Sequence, residues 1–340
     1  MSVDRLSRRR TLTGLSTVGL VSVVGCVDDT ERLTIGVGPS GSRSYQAGHA
    51  LAVAVERHSD DLSLRVESVG PPSQRLYAVD DGTVAGAGVD NTTLYRASED
   101  RGVFDLDPIE SLPYQGFAYG YREQYWLAVD GGTTPASTAE FGDRVVYPGQ
   151  PSEPSRLVTE QLLRDAELWE AAEIDNRPRE ALPAAVDEQA VDCLVAAQHV
   201  GRERTDWAAA VDEQVGERLA VVPTGSAFQT AIDDAPNTVA RDIEPVGWET
   251  AGLGESVAGW AVPLQWLWSP TVDADVIAEL TRIAHDHSET LRGVDGLALD
   301  GNPDGLSQGV IDGLAVHEGA ADVFSERDES NSDREGDATD

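Results

Sequence analysis

From residue 33 onward the chain alternates short apolar runs with amphipathic stretches. Residues 33–37 (Leu-Thr-Ile-Gly-Val) have the length and composition of a buried strand. A glycine-rich turn follows. Ala47, Ala50, Leu51, Ala54 and Val55 then recur at the three-and-four spacing of one helix face, predicting a helix over 44–58. The alternation continues with a strand at 62–69, a short helix at 73–80, a strand at 84–89 and a helix at 92–98. Strands alternating with helices predict parallel strands joined by helical crossovers, an α/β fold.

Residues 114–129 form an aromatic-rich stretch long enough to cross from one lobe to another. Beyond it the pattern restarts with a strand at 144–147, a helix at 155–166 and a strand at 190–197, and 219–222 and 238–246 are further strand candidates. A second crossing strand is expected at 258–264. A helix over 273–291 has Asp273 at its N-cap and Ile277, Leu280, Ile283 and Ala284 on one side. A chain of 340 residues exceeds what one core usually serves. We therefore expect one lobe from 33–125 plus 259–324 and another from 126–258. Over 325–340 only Ala338 is apolar, which predicts a disordered acidic tail.

Composition narrows the function. Sixty acidic residues face 25 basic ones, all arginine, for a formal charge of -35. That field repels nucleic acid, because each phosphate contact needs a cation, so no nucleic-acid partner is expected. With 40% apolar residues the chain can still bury a core. Its carboxylates then read as a solvated surface suited to molar salt, where counterions screen self-repulsion. Two cysteines, Cys26 and Cys193, do not make a disulfide framework.

The first 26 residues read as an address. Arg8, Arg9 and Arg10 precede an uncharged stretch, 11–25, that is too short and too weakly apolar for a spanning helix. The arginine pair points to twin-arginine export of a folded protein. Val23-Val24-Gly25-Cys26 resembles a lipobox, making Cys26 the lipidated residue and 27–32 a tether. An uncleaved N-terminal helix would leave the remainder on the same outer face.

Gly36-Val37-Gly38-Pro39-Ser40-Gly41 satisfies G-x-G-x-x-G between a strand and a helix. One reading is a dinucleotide site in an exported oxidoreductase. Another is a carboxylate site, since glycines allow close backbone approach and helix N-terminal amides attract any anion. Export argues for the second, because nicotinamide cofactors are cytoplasmic.

Thr34-Ile35-Gly36-Val37-Gly38, Ser40-Gly41-Ser42, Ser44-Tyr45 and Gly48 resemble the opening of the TAXI-type receptors of TRAP transporters, here of haloarchaeal type. Residues 67–73, 84–91, 148–152 and 315–320 are similar to later turns of that family. The resemblance implies a two-lobed, type II periplasmic-binding-protein-like fold with a hinge and a central ligand cleft. It also implies a monomeric receptor that passes a small carboxylate or amino acid to ion-driven membrane permease subunits, without a cofactor. Site residues carried by the resemblance and its turns are Ser40, Gly41, Ser42, Arg43, Tyr45, Ser73, Arg75, Asp90, Asn91, Gly149 and Ser152. Arg43 and Arg75 are candidates to grip a carboxylate in a bidentate fork, and Asp90 to receive an amino group. The chain departs from the family where Ser42-Arg43, Gly70-Pro71-Pro72 and Asp90-Asn91 replace its glycine and Gln-Ser pairs. A sensory or structural surface protein that has lost its ligand is therefore a third reading.

No catalytic or metal site is expected. His285 and His287 are two apart on a helix and face different ways, and there is no H-E-x-x-H. Cys193 sits in an apolar run and reads as a buried small side chain. Trp260, Trp266 and Trp268, and Tyr119, Tyr121 and Tyr125, read as core or hinge packing, with a ligand-stacking platform as the alternative.

Overall fold

The computed structural model describes residues 30–129, 134–151, 153–199, 206–292 and 303–337. The first three strands are β1 (Glu31–Val37), β2 (Leu62–Ser68) and β3 (Gly86–Asp90). They alternate with α1 (Arg43–His58), α2 (Pro72–Asp80) and α3 (Asn91–Ser98). β1 is paired in parallel with both β2 and β3, as the alternation requires. Two long strands, β4 (Tyr114–Val129) and β10 (Val257–Trp268), run antiparallel to each other through both lobes. Between them in sequence lie β5 (Val145–Tyr147), α4 (Pro154–Asp165), β6 (Glu173–Ile174), α5 (Leu182–Asp187) and β7 (Cys193–His199). They are followed by α6 (Asp206–Val215), β8 (Leu219–Val222), α7 (Ser226–Asp234) and β9 (Val239–Ile243). The chain closes with α8 (Ala274–Asp286), α9 (Ser288–Arg292) and α10 (Glu318–Asp337). The sheet order is β2-β1-β3-β10-β4-β7-β5-β6, with β8 on β4 and β9 on β10.

The crossing strands are what make two lobes from one sheet. Along β10, Trp260 and Val262 pack into a core with Val158, Leu162 and Phe228, whereas Leu264, Trp266 and Trp268 pack into another with Ile35, Leu51 and Leu280. All five side chains share one face of the strand by period two. One strand thus supplies the same face to two separate cores. β4 behaves alike: its first half pairs β10, and Arg122 to Ala128 pair β7. The three tryptophans of β10 are fully buried, so their role is packing.

Three differences from the sequence reading have physical causes. The helix expected over 273–291 ends at Asp286 and resumes as α9 after His287, which caps α8. The strand expected at 190–197 is displaced to Cys193–His199, which brings His199 to its end. The tail expected to be disordered from Ser325 is helical as far as Asp337. Ala320 and Val323 are buried and Arg282 pairs with Glu326, so the costly first turns are stabilised by docking and further residues add cheaply. Gly319 permits that docking. A Cβ there would lie 1.9 Å from the carbonyl oxygen of Ala274 in α8.

Candidate functional site

The first parallel strands all end at one edge of the sheet, where α/β folds place their ligands. After β1, Gly41 has φ +86°, a left-handed conformation that favours glycine. Ser42 caps α1 by accepting from the Tyr45 amide at 3.3 Å. Ser44 is more heavily used: its Oγ accepts from the Gly38 amide at 2.9 Å and from Arg75 Nη1 at 2.5 Å. After β2, Gly70 turns the chain with φ +109°, and Pro72 opens α2, whose first turns carry Arg75. β3 ends at Asp90, which caps α3 by accepting from the amide and hydroxyl of Thr93, each at 3.0 Å.

These turns form one wall of a cleft. A cavity of about 360 Å³ is lined by Gly38, Pro39 and Gly41–Ser44, by Gly70–Pro72, Arg75 and Asp90, by Tyr119, Arg122 and Leu264 of the crossing strands, and by Pro154 and His199 of the other lobe. A second cavity of about 300 Å³ shares Arg122, Pro154 and His199 and continues along Glu153, Arg179, Gln198 and Trp207. Arg122 and His199 are direct partners across β4 and β7, so their side chains leave the sheet on the same face.

The chemistry of the first cavity is cationic in a strongly anionic protein. Arg43, Arg75 and Arg122 line it, and both oxygens of the one acidic liner, Asp90, already accept bonds from Thr93. Burial lowers the Arg75 pKa, opposed by the nearby Tyr119 and Asp90 and reinforced by Arg122. Burial pushes the Tyr119 hydroxyl up to about 12, against the pull of Arg75. His199 is driven down to about 3 by burial and then by Arg122 and Arg43, so it is neutral at ordinary pH. Two donors, Arg75 Nε and Arg122 Nη1, are shielded from solvent with no hydrogen-bond partner. A buried unmade bond costs roughly 1–3 kcal/mol, more when charged, and an anion in the cleft would remove that cost.

Of the residues expected at the site, Gly41, Ser42, Arg43, Arg75 and Asp90 line the cavity. Ser40 is exposed at the turn tip, and Ser73 is half-buried on α2 outside the lining. Tyr45 packs on the His49 ring, 4.4 Å between centroids. Asn91 is placed at the back of the sheet: it donates to the Gly309 carbonyl at 2.6 Å and accepts from Gln265 at 2.5 Å. There, with Gln115, it pins the chain around Gly309–Leu314. Gly149 turns with φ +109°, and its carbonyl accepts from the buried Arg156 at 2.8 Å. Ser152, Cys26 and the signal segment lie outside the described residues.

Ser44, Arg122 and His199 line the cleft without having been singled out as ligand contacts from the sequence, and Tyr119, read there as packing with a ligand platform as the alternative, lines it too. The signals were present. Arg122 interrupts an apolar crossing strand, and His199 ends an apolar run at the ligand edge of the sheet. The G-x-S-x-G spacing does occur, at Gly305-Leu306-Ser307-Gln308-Gly309. Its first two residues end a short 3-10 helix at Pro303–Leu306 and 307–309 form a turn, so it lacks the strand-to-helix elbow that a hydrolase nucleophile needs. Among the described residues no cluster of His, Cys, Asp and Glu could hold a metal ion. Cys193 is fully buried in the core around Val158, Leu162 and Phe228, and burial pushes its thiol up to about 12. Within the glycine turn the Gly38 amide bonds Ser44, so it is not among the amides left for an anion of either kind.

Comparison with known proteins places the chain. No curated protein matches it. Among solved structures it is similar to a TctC solute binding protein from Polaromonas, at 14% identity over 87% of this chain and 94% of that one, TM-score 0.46. It is also similar to the periplasmic aliphatic sulphonate binding protein SsuA from Escherichia coli, at 13% identity over 79% and 80% of the two chains, TM-score 0.40. A TRAP periplasmic solute binding protein from Rhodobacter sphaeroides gives 9% identity over 77% and 78%, TM-score 0.42. The model of one protein family matches residues 35–327, a span that contains both lobes and every described wall of the cleft, and the chain belongs to that family, the NMT1-like family.

Proposed function

We propose that the chain is the extracytoplasmic receptor of a secondary transporter of the TRAP type, TAXI class, and that it captures a small carboxylate or amino-acid-like solute by closure of the cleft. It then delivers the solute to membrane permease subunits, acting as a monomer held to the outer face through Cys26 after twin-arginine export. The observation that carries the reading is the pair of solvent-shielded, unpartnered donors on Arg75 and Arg122 in a cavity between two lobes. A carboxylate accepts from several guanidinium N–H groups at once, which a neutral solute does not. The two strands shared by the lobes supply the bending element that cleft closure needs. Family membership supports the receptor role over catalysis. Among the described residues no helix is long and apolar enough to cross a membrane.

Calorimetric titration of the protein lacking residues 1–26, in molar KCl, with monocarboxylates, dicarboxylates, amino acids and sugar acids tests the reading. We expect saturable binding of at least one carboxylate, together with a rise in melting temperature. Failure of every carboxylate to bind contradicts it. The net charge of -35 adds that the fold needs salt, so unchanged circular dichroism after dialysis to dilute buffer contradicts the halophilic part.

A further inference from the structure

We propose that the second cavity is a subsite for a neutral, apolar extension of the ligand, so that the solute is a monocarboxylate with an alkyl or aryl tail. This rests on the carboxylate reading above and names the ligand class more closely. Arg122 of β4, Pro154 of α4 and His199 of β7 border both cavities. Three residues from three elements on both linings make the cavities neighbouring compartments of one cleft, and the second opens beside the Arg122 guanidinium. The compartments measure about 360 and about 300 Å³. Sites of roughly 300–1,000 Å³ hold ligands much larger than a three-carbon acid.

The polar side chains that line the second cavity alone are already engaged by the protein. Glu153 pairs with Arg179 and also meets the Ser155 hydroxyl at 3.4 Å. Gln198 donates to Glu123 at 3.0 Å and to the Glu244 carbonyl at 2.7 Å, and accepts from the Val246 amide at 3.0 Å. A second carboxylate there would approach Glu153, and its natural partner, Arg179, is taken. An ammonium would approach Arg122 and Arg179. A neutral polar tail would bond only by breaking bonds already made. What remains is the surface of Pro154, Ala197 and Trp207. Trp207 is held in place by Trp248, edge to face at 6.0 Å, and by Arg179 over its ring. Each methylene buried on such a surface tightens binding by up to about four-fold.

Titration calorimetry of the full mature protein in molar KCl tests this with propionate, octanoate, 3-phenylpropionate, suberate and gluconate. We expect octanoate or 3-phenylpropionate to bind at least ten-fold more tightly than propionate, suberate and gluconate. Ala197→Phe fills the second cavity from β7 without touching the lining of the first. It should cut the affinity of the tailed acid at least five-fold, and Trp207→Ala should cut it in the same direction, with circular dichroism showing that both variants are folded. Binding of propionate as tight as that of the tailed acids, a preference for suberate or gluconate, or a tail preference that survives Ala197→Phe overturns the inference while leaving the carboxylate reading intact. Absence of binding by all five acids, and by the amino acids and other carboxylates named above, overturns both.

Discussion

The two walls of the cleft use arginine differently. In the first lobe and the crossing strand, Arg75 and Arg122 keep N–H donors without partners. In the second lobe the arginines are spent: Arg179 pairs with Glu153 and lies over the Trp207 ring at 5.4 Å. Arg156 there donates to Gly149 and Asn176 and covers Trp169, and its one unbonded donor, Nε, stands 3.6 Å from the Glu160 carboxylate, which compensates its charge. Among the described residues, one wall holds two arginines, Arg75 and Arg122, with no carboxylate paired to them, and the other holds two, Arg156 and Arg179, each paired with a glutamate. A residue's charge alone does not identify a binding group. What identifies it is a charge left uncompensated where burial makes that costly.

Breaking the comparison at its strongest point should give the largest effect. Arg75→Met is expected to weaken carboxylate binding at least thirty-fold, within the roughly 2–5 kcal/mol seen when one partner of a buried charge pair is truncated. Arg179→Met should cost less than five-fold; titration calorimetry on both variants decides, and equal losses would erase the distinction between the walls.

A second contrast concerns proton linkage. His199 has its pKa lowered in the fold, to about 3 from an ordinary 6.5, so the unfolded chain binds the proton more readily between those values. Stability is therefore full above about 6.5 and is lost as pH falls toward 3, by on the order of a few kcal/mol. Denaturant unfolding of His199→Phe at several pH values in molar KCl should show a flatter acid limb, and an unchanged limb would remove His199 from the account.

Smaller again is the effect of sealing the first lobe. Gly319→Ala forces a Cβ against the Ala274 carbonyl and should destabilise α10 by about 1–3 kcal/mol, the usual cost of overpacking. Hydrogen exchange in α8 should rise while that of β7 stays unchanged; faster exchange in both would mean the lobes unfold together. The smallest expected effect is at a cap. Asp90→Ala removes the acceptor of the Thr93 amide and should cost about 1 kcal/mol by denaturant titration.

How legible this was depended on the range of the interaction. β1 to α3 were readable because each element carries its own period, and the glycine turn was readable because φ +86° at Gly41 is a local demand. The crossing strands announced themselves by length and aromatic content. Arg122 and His199 were harder, because their meaning comes from the β4–β7 register that sets them side by side. Asn91 shows the converse: it stands beside Asp90 in sequence, yet as the first residue of α3 it bonds Gly309 and Gln265 and stays out of the cleft. The helical continuation past Ser325 was not legible, since its cause is the docking of Ala320 and Val323 rather than the composition of the tail.

The central claim is that the cleft recognises negative charge through donors on Arg75 and Arg122. Its most direct test is titration of one ligand pair of nearly the same shape in which only one member is charged, lactate and lactamide, into the mature protein at molar KCl. The account predicts saturable binding of lactate, or of whichever small carboxylate binds best with its own amide as the control, and a loss of at least thirty-fold for the amide. Equal affinity for the acid and its amide would contradict it.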